Sequence, residues 1–233
     1  LLLFSVFMLL LASTKVFSFS GGGRAATIRH FARMTALNRI KSIFVSKADA
    51  GVPSLNPKLN YKVIKYPDPK LRSENEIVTQ FDESLKQVTS EMLQLMYVED
   101  GVGLAAPQIG INKRIMVFNE EGDIKRKDKE MILINPYIIG KSTETAISEE
   151  GCLSFPTIRG VVSRHIWIEV EYQDVQGNKR SCRFEDFPAV IFQHEYDHLD
   201  KVLFIDRFSS QDRVKNQAKL DKLIRKYGPG GAL

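Results

Sequence analysis

The segment Gln193-His-Glu-Tyr-Asp-His198 constrains this chain more than any other. It reads as helix: Pro188 suits a first helical turn, and Glu185 and Asp186 stand where a helix dipole favours negative charge. Two histidines four residues apart then project from one face, so both imidazoles reach toward one metal ion with Glu195 beside them. That combination is the chemistry of metal-assisted hydrolysis.

Two imidazoles require a third protein ligand. In zinc proteases that share His-Glu-x-x-His, a downstream Glu or His usually completes the site, yet no Glu follows Glu195 and no His follows His198. Positions 201 and 204, where the long metzincin pattern wants Gly and His, are Lys201 and Phe204. A protease would have to recruit Asp200, Asp206 or Asp212. Upstream there are only two cysteines, and nothing in their spacing asks for a disulfide. Cys152 sits in a Gly-Cys-Leu-Ser turn where backbone can approach a metal, whereas Cys182 alternates with Phe184 and reads as a buried, apolar-like thiol. One cysteine with two histidines leaves a fourth position open for water, which is a catalytic arrangement. The contrasting reading is a closed, zinc-stabilised binding module with Cys182 as fourth ligand.

Charge divides the chain in two. Residues 1–48 carry seven basic residues and no acid, which leaves 26 of the 33 basic residues against all 28 acidic ones in 49–233, a net of −2. The second part therefore gives no electrostatic reason to bind nucleic acid or an anionic membrane. Leu1 to Ala12 is apolar except for Ser5 and too short to cross a bilayer, which takes about 20 residues. Residues 1–18 read as a signal peptide, with Val16 and Ser18 suited to a cleavage site before Phe19, and 19–49 has transit-peptide composition. Such a two-part leader resembles those of proteins sent through the secretory path into a plastid of secondary origin. A mitochondrial destination is the alternative for location, and an anchoring helix over 1–20 is the alternative for the apolar run. Residues 50–61 read as a linker, 62–228 as one catalytic domain and 229–233 as a tail.

Within that domain the pattern is mixed. Leu85, Val88, Met92, Leu95 and Met96 recur at helical spacing behind Asp82, a candidate N-cap. Arg114 to Phe118 and Met131 to Asn135 have strand length, separated by a charged loop. Ile166, Ile168, Val170 and Tyr172 alternate with polar partners, Gln176-Gly-Asn178 offers a turn, and Lys179 to Phe184 returns. A final amphipathic helix runs from about Ser210 to Lys226 and stops at Gly228-Pro229. Strands in blocks with helices before and after predict an α+β fold. His30 and His165 read as bystanders, and Asp197 either orients a ligand imidazole or caps the helix surface.

Three strings, Gly101-Val-Gly-Leu-Ala-Ala-Pro-Gln108, Glu150-Gly-Cys-Leu-Ser154 and Gln193 to His198, together resemble the motifs of the peptide deformylases, in family order and without a mismatch. The likeness runs from about Lys62 through the final helix, and Cys-Leu-Ser is similar to the bacterial and plastid branch. The resemblance implies a compact domain of curved antiparallel strands around a central metal-binding helix, and removal of the formyl group from the initiator methionine of new organellar proteins. It implies Cys152, His194 and His198 as metal ligands, Fe²⁺ natively with Zn²⁺ as alternative, and Glu195 as acid/base. Gln108 and the Leu153 N–H would polarise the formyl oxygen, while Gly103 would meet the substrate backbone and Arg159 would contact substrate. Phe187, Val190 and Ile191 share the His194 face and, with Val102 opposite, would wall a methionine pocket. The expected partners are formyl-methionyl nascent chains near the organellar ribosome, with no nucleic-acid binding and no stable membrane anchor.

Overall fold

A computed structural model describes residues 59–232. The leader readings, most of the linker and His30 lie outside the described residues.

The first helix, α1 (Glu83–Val98), starts where the sequence places it: the Asp82 carboxylate accepts the Leu85 N–H at 3.0 Å. Its apolar stripe, Leu85, Met92, Leu93, Leu95 and Met96, is buried against β1 (Gly103–Ala105) and β2 (Ile115–Asn119). β3 (Glu130–Lys141) follows the charged loop and is longer than the predicted apolar run. β6 (Trp167–Gln173) and β7 (Lys179–Glu185) form the expected hairpin, with Ile168 and Val170 turned inward. All pairings are antiparallel, in the order β1-β2-β3-β6-β7.

A second, two-stranded sheet pairs β4 (Thr145–Cys152) with β5 (Phe155–His165). No strand is predicted there, because the hairpin inverts the usual pattern. Ile147 and Val161 face solvent while Glu150 and Arg164 are buried, so hydrophobic alternation is broken by ion pairs on the inward face. The metal-motif helix α2 (Asp186–Leu199) touches strands of both sheets and is buried nearly all round from Ala189 to Leu199. It ends without glycine. Lys201 takes φ 64°, and the Val202 N–H bonds the Asp197 carbonyl at 2.8 Å, closing a Schellman-type cap. The last helix, α3 (Ser210–Tyr227), is capped by Ser209, packs on β5 and stops at Gly228. Among the described residues no helix is long and apolar enough to cross a membrane.

Three apolar clusters surround the site. One joins α1 to β1 and β2, one fills the space between the five-stranded sheet and α2, and the third gathers Tyr66, Phe155 and Phe204 with Leu220 from the second half of α3. Phe204 also lies 5.8 Å, centroid to centroid, from the His194 ring. The imidazole is therefore held by packing as well as by polar contacts.

Candidate active site

All three motifs meet on α2. The ligand atoms of Cys152, His194 and His198 lie within 4.8 Å of one another, with the Cys152 Sγ 3.3 Å from His198 Nε2. Helical spacing sets the two imidazoles one turn apart, and the Cys152 thiol comes from the end of β4, where the register shifts between Gly151 and Cys152. Cys182 sits elsewhere, packed on the α2 face of the large sheet, and burial pushes its thiol up to about 11. That is the inert thiol the sequence predicts, and it removes Cys182 as a fourth ligand.

The electrostatics of the cluster suit a cation. Burial by itself would lower the His194 pKa, yet Cys152 on one side and Glu150 on the other raise it well above the usual histidine value. These neighbours favour positive charge between sulfur and ring, which a divalent ion would supply in place of a proton. The Glu150 carboxylate takes the Nδ1 side of His194 at 2.8 Å, which turns Nε2 toward the cluster. His198 is driven the other way, well below the usual value, by burial and by the charge on His194, so it stands as a neutral imidazole ready to donate a lone pair. Soft sulfur with two imidazoles fits Zn²⁺ or Fe²⁺ rather than a hard cation.

Glu195 stands beside this cluster. Burial holds its carboxyl up at about 7, and its Oε2 is buried with no hydrogen-bond partner among the described residues. Gly103 accounts for how close the first motif comes. A Cβ at this position would lie 2.5 Å from Glu195 Oε1 and 2.9 Å from Ile191 Cγ2. Gly103→Ala should therefore displace the carboxylate and reduce kcat by at least about tenfold, since a misplacement near 1 Å can cost about 100-fold. Circular dichroism and kcat measured together check this: unchanged kcat in a folded variant would show that the carboxylate tolerates the move.

Gln108 is buried in a 3-10 turn, Ala106–Ile109, that closes on Gly110 at φ 79°, a conformation glycine adopts without strain. Its Oε1 accepts the Ala105 N–H at 2.7 Å, which directs Nε2 to the cluster, 3.5 Å from Cys152 Sγ and 3.4 Å from Ser154 Oγ. Leu153 packs its side chain over Gly101, where a Cβ would meet Leu153 Cδ1 at 2.8 Å. Val102 and Phe187 are half-buried against the second apolar cluster, of which Ile191 is a buried member, and Val190 is buried on the same helix. Arg159 lies across from Gly151 in the β4–β5 register, its Nη1 3.5 Å from where a Gly151 Cβ would be. The guanidinium thus lies beside the second motif, at ordinary contact distance from position 151.

Several contributing residues carry no signal in the sequence. The segment 64–66 straps two motifs together: the Ile64 N–H bonds the Gln108 carbonyl at 2.8 Å, the Tyr66 N–H bonds the Ser154 carbonyl at 3.0 Å, and Lys65 Nζ bonds the Leu153 carbonyl at 2.9 Å. Glu150 is legible as part of a motif but its contact with His194 is not. Arg164 has no motif at all and becomes visible only through its buried pairs with Glu150 and Asp197. Asp197 corrects one expectation, because it faces Arg164 and Arg207 rather than an imidazole. His165 is not partnerless either; its Nδ1 contacts the Ser142 carbonyl at 2.7 Å.

A cysteine-to-serine pair separates the thiols. Cys152→Ser should lose metal or hold it weakly, because a hydroxyl is a poor ligand at neutral pH, while Cys182→Ser should cost only modest stability. Metal content by elemental analysis reads both. Full occupancy in Cys152→Ser with loss in Cys182→Ser would reverse the assignment.

Comparison with known proteins points to one family. Residues 60–214 match the family model of polypeptide deformylase. The chain is 43% identical over 166 residues to the chloroplastic peptide deformylase 1B of Oryza sativa subsp. japonica, covering 71% of this chain and 61% of that protein. It thus spans about 61% of the length of that relative. The chloroplastic/mitochondrial peptide deformylase 1B of Arabidopsis thaliana is 38% identical over 205 residues, 87% of this chain and 75% of its own. A crystal structure of peptide deformylase from Plasmodium falciparum superposes with a TM-score of 0.70 at 44% identity, covering 71% of this chain and 96% of that one.

Proposed function

The chain belongs to the polypeptide deformylase family, and from that premise we propose that it hydrolyses the formyl group from the initiator methionine of newly made organellar proteins, releasing formate. One observation carries the reading: Cys152, His194 and His198 converge while the Glu195 carboxyl and the Gln108 amide stand beside them. Cys152, His194 and His198 would hold a divalent ion, Fe²⁺ natively with Zn²⁺ as alternative. When bound, that ion acidifies a water and draws electron density from the formyl oxygen.

The remaining work falls to this chain's own side chains. Glu195 accepts the proton of the attacking water and returns it to the leaving amine, a role its near-neutral pKa of about 7 suits. Gln108 offers Nε2–H, and Leu153 its backbone N–H, to the oxygen on which charge develops. Gly103 leaves the substrate backbone room beside Glu195, and Arg159 contacts the peptide from the β4–β5 side. Val102, Phe187, Val190 and Ile191 form the apolar pocket for the methionine side chain.

A plastid location, reached through the secretory path with a mitochondrial destination as the alternative, is supported by the acid-free residues 1–48 and by the chloroplastic relatives. Formyl-methionyl nascent chains near the organellar ribosome are the expected substrates. The test is formate release from a formyl-methionyl peptide by the protein prepared anaerobically with iron. Turnover that follows iron content supports the reading, and a metal-loaded protein inert toward the peptide would overturn it.

A further inference from the structure

We propose that Arg207 is a positioning residue of the metal site, acting on His194 through Asp197, Arg164 and Glu150. The inference rests on the metal-hydrolase reading above. Behind α2 the four side chains form an unbroken line. Glu150 Oε2 contacts His194 Nδ1 at 2.8 Å, and both Glu150 oxygens accept from Arg164, at 2.8 and 2.9 Å. The remaining Arg164 nitrogen, Nη1, donates to Asp197 Oδ2 at 2.5 Å and to the Gln193 carbonyl at 3.5 Å. Asp197 in turn receives Nε and Nη2 of Arg207 on its two oxygens.

Charge balance gives Arg207 its role. Glu150, Arg164 and Asp197 are each at most 8% exposed at the side chain, so two carboxylates share one guanidinium in a region with little water. Their sum is −1. Arg207, 42% exposed, closes the balance from the surface, at the end of the 3-10 turn Phe204–Arg207. A buried carboxylate without a full counter-charge is costly, so Asp197 deprived of Arg207 would compete with Glu150 for a second N–H of Arg164. Arg164 would then loosen its two-pronged hold on Glu150, and Glu150 its hold on the His194 ring. The line also ties β4, β5, α2 and the turn before α3 into one unit at the ligand side chain.

Outer partners of metal ligands typically change metal affinity by about 10- to 100-fold, and a residue further out should have a smaller effect, about three- to tenfold. The test uses the full chain loaded with Co²⁺, whose visible bands report ligand geometry without any turnover. Arg207→Gln should release cobalt to a chelator about three- to tenfold faster than the parent and shift the visible bands. Arg207→Lys, which restores charge but not the two-pronged bond, should recover part of both. Adding Arg207→Gln to Glu150→Gln should change release no further, since the path is already cut. An Arg207→Gln protein with lower Tm but parental bands and release rate would overturn the proposal, as would effects that simply multiply with those of Glu150→Gln. A parent protein that shows no sulfur-to-cobalt band would overturn the metal-site reading and this proposal with it, whereas failure confined to the variants overturns the proposal alone.

Discussion

Glu195→Gln should retain its metal and lose at least about 100-fold in kcat, the usual worth of a general acid/base. The amide is nearly isosteric with the carboxyl but has no basic oxygen to take a proton from water. The surroundings are such that the substitution leaves the fold alone. Glu195 is buried, and burial is what holds its carboxyl up at about 7, so a neutral amide removes a desolvation cost rather than adding one. Tm should stay at or slightly above the parent value while turnover collapses. Metal content, Tm and kcat read on one preparation separate the cases. A variant that keeps more than about a tenth of parental kcat would remove Glu195 from the acid/base role, because that role is not worth so little.

The sequence is most informative where chemistry is packed into short spacing. His194, Glu195 and His198 are legible because four residues make one helical turn, and α1, the β6–β7 hairpin and α3 are legible because their apolar residues keep a single period. The resemblance to deformylases supplies Cys152 as ligand and Gln108 as amide donor, and both stand at the cluster. What escapes the sequence is what depends on long-range pairing. The β4–β5 hairpin hides because Glu150 and Arg164 occupy inward positions where an apolar residue would announce a strand, while Ile147 and Val161 point outward. Those charges are tolerated inside only because each finds a partner: Arg164 and His194 bring Glu150 down to about 2 against the opposing effect of burial. Lys65 hides for a similar reason, since its contact with the Leu153 carbonyl joins positions 88 residues apart. Asp197 is misread because it sits one residue from a ligand histidine yet points away from the metal side, toward two arginines.

Substrate choice should follow from how little space surrounds the reacting carbon. At Gly103 even one added carbon would collide with Glu195 and Ile191, and Gln108, from the same motif, brings its amide to 3.5 Å from Cys152 Sγ. A formyl group presents only hydrogen behind its carbonyl carbon, whereas an acetyl group adds a methyl. In a site that excludes a methyl at its wall, the acetyl carbonyl sits displaced from Glu195 and from the Gln108 amide, and displacement near 1 Å costs about 100-fold. An internal peptide bond carries a whole residue at that position and should not enter. The deciding measurement compares kcat/KM for matched formyl-methionyl, acetyl-methionyl and internally quenched peptides on one iron-loaded preparation. A formyl preference of at least about 100-fold with no internal cleavage is the expected result; equal rates for formyl and acetyl peptides, or endoproteolysis that disappears with Glu195→Gln, would contradict deformylation and make the chain a metalloprotease.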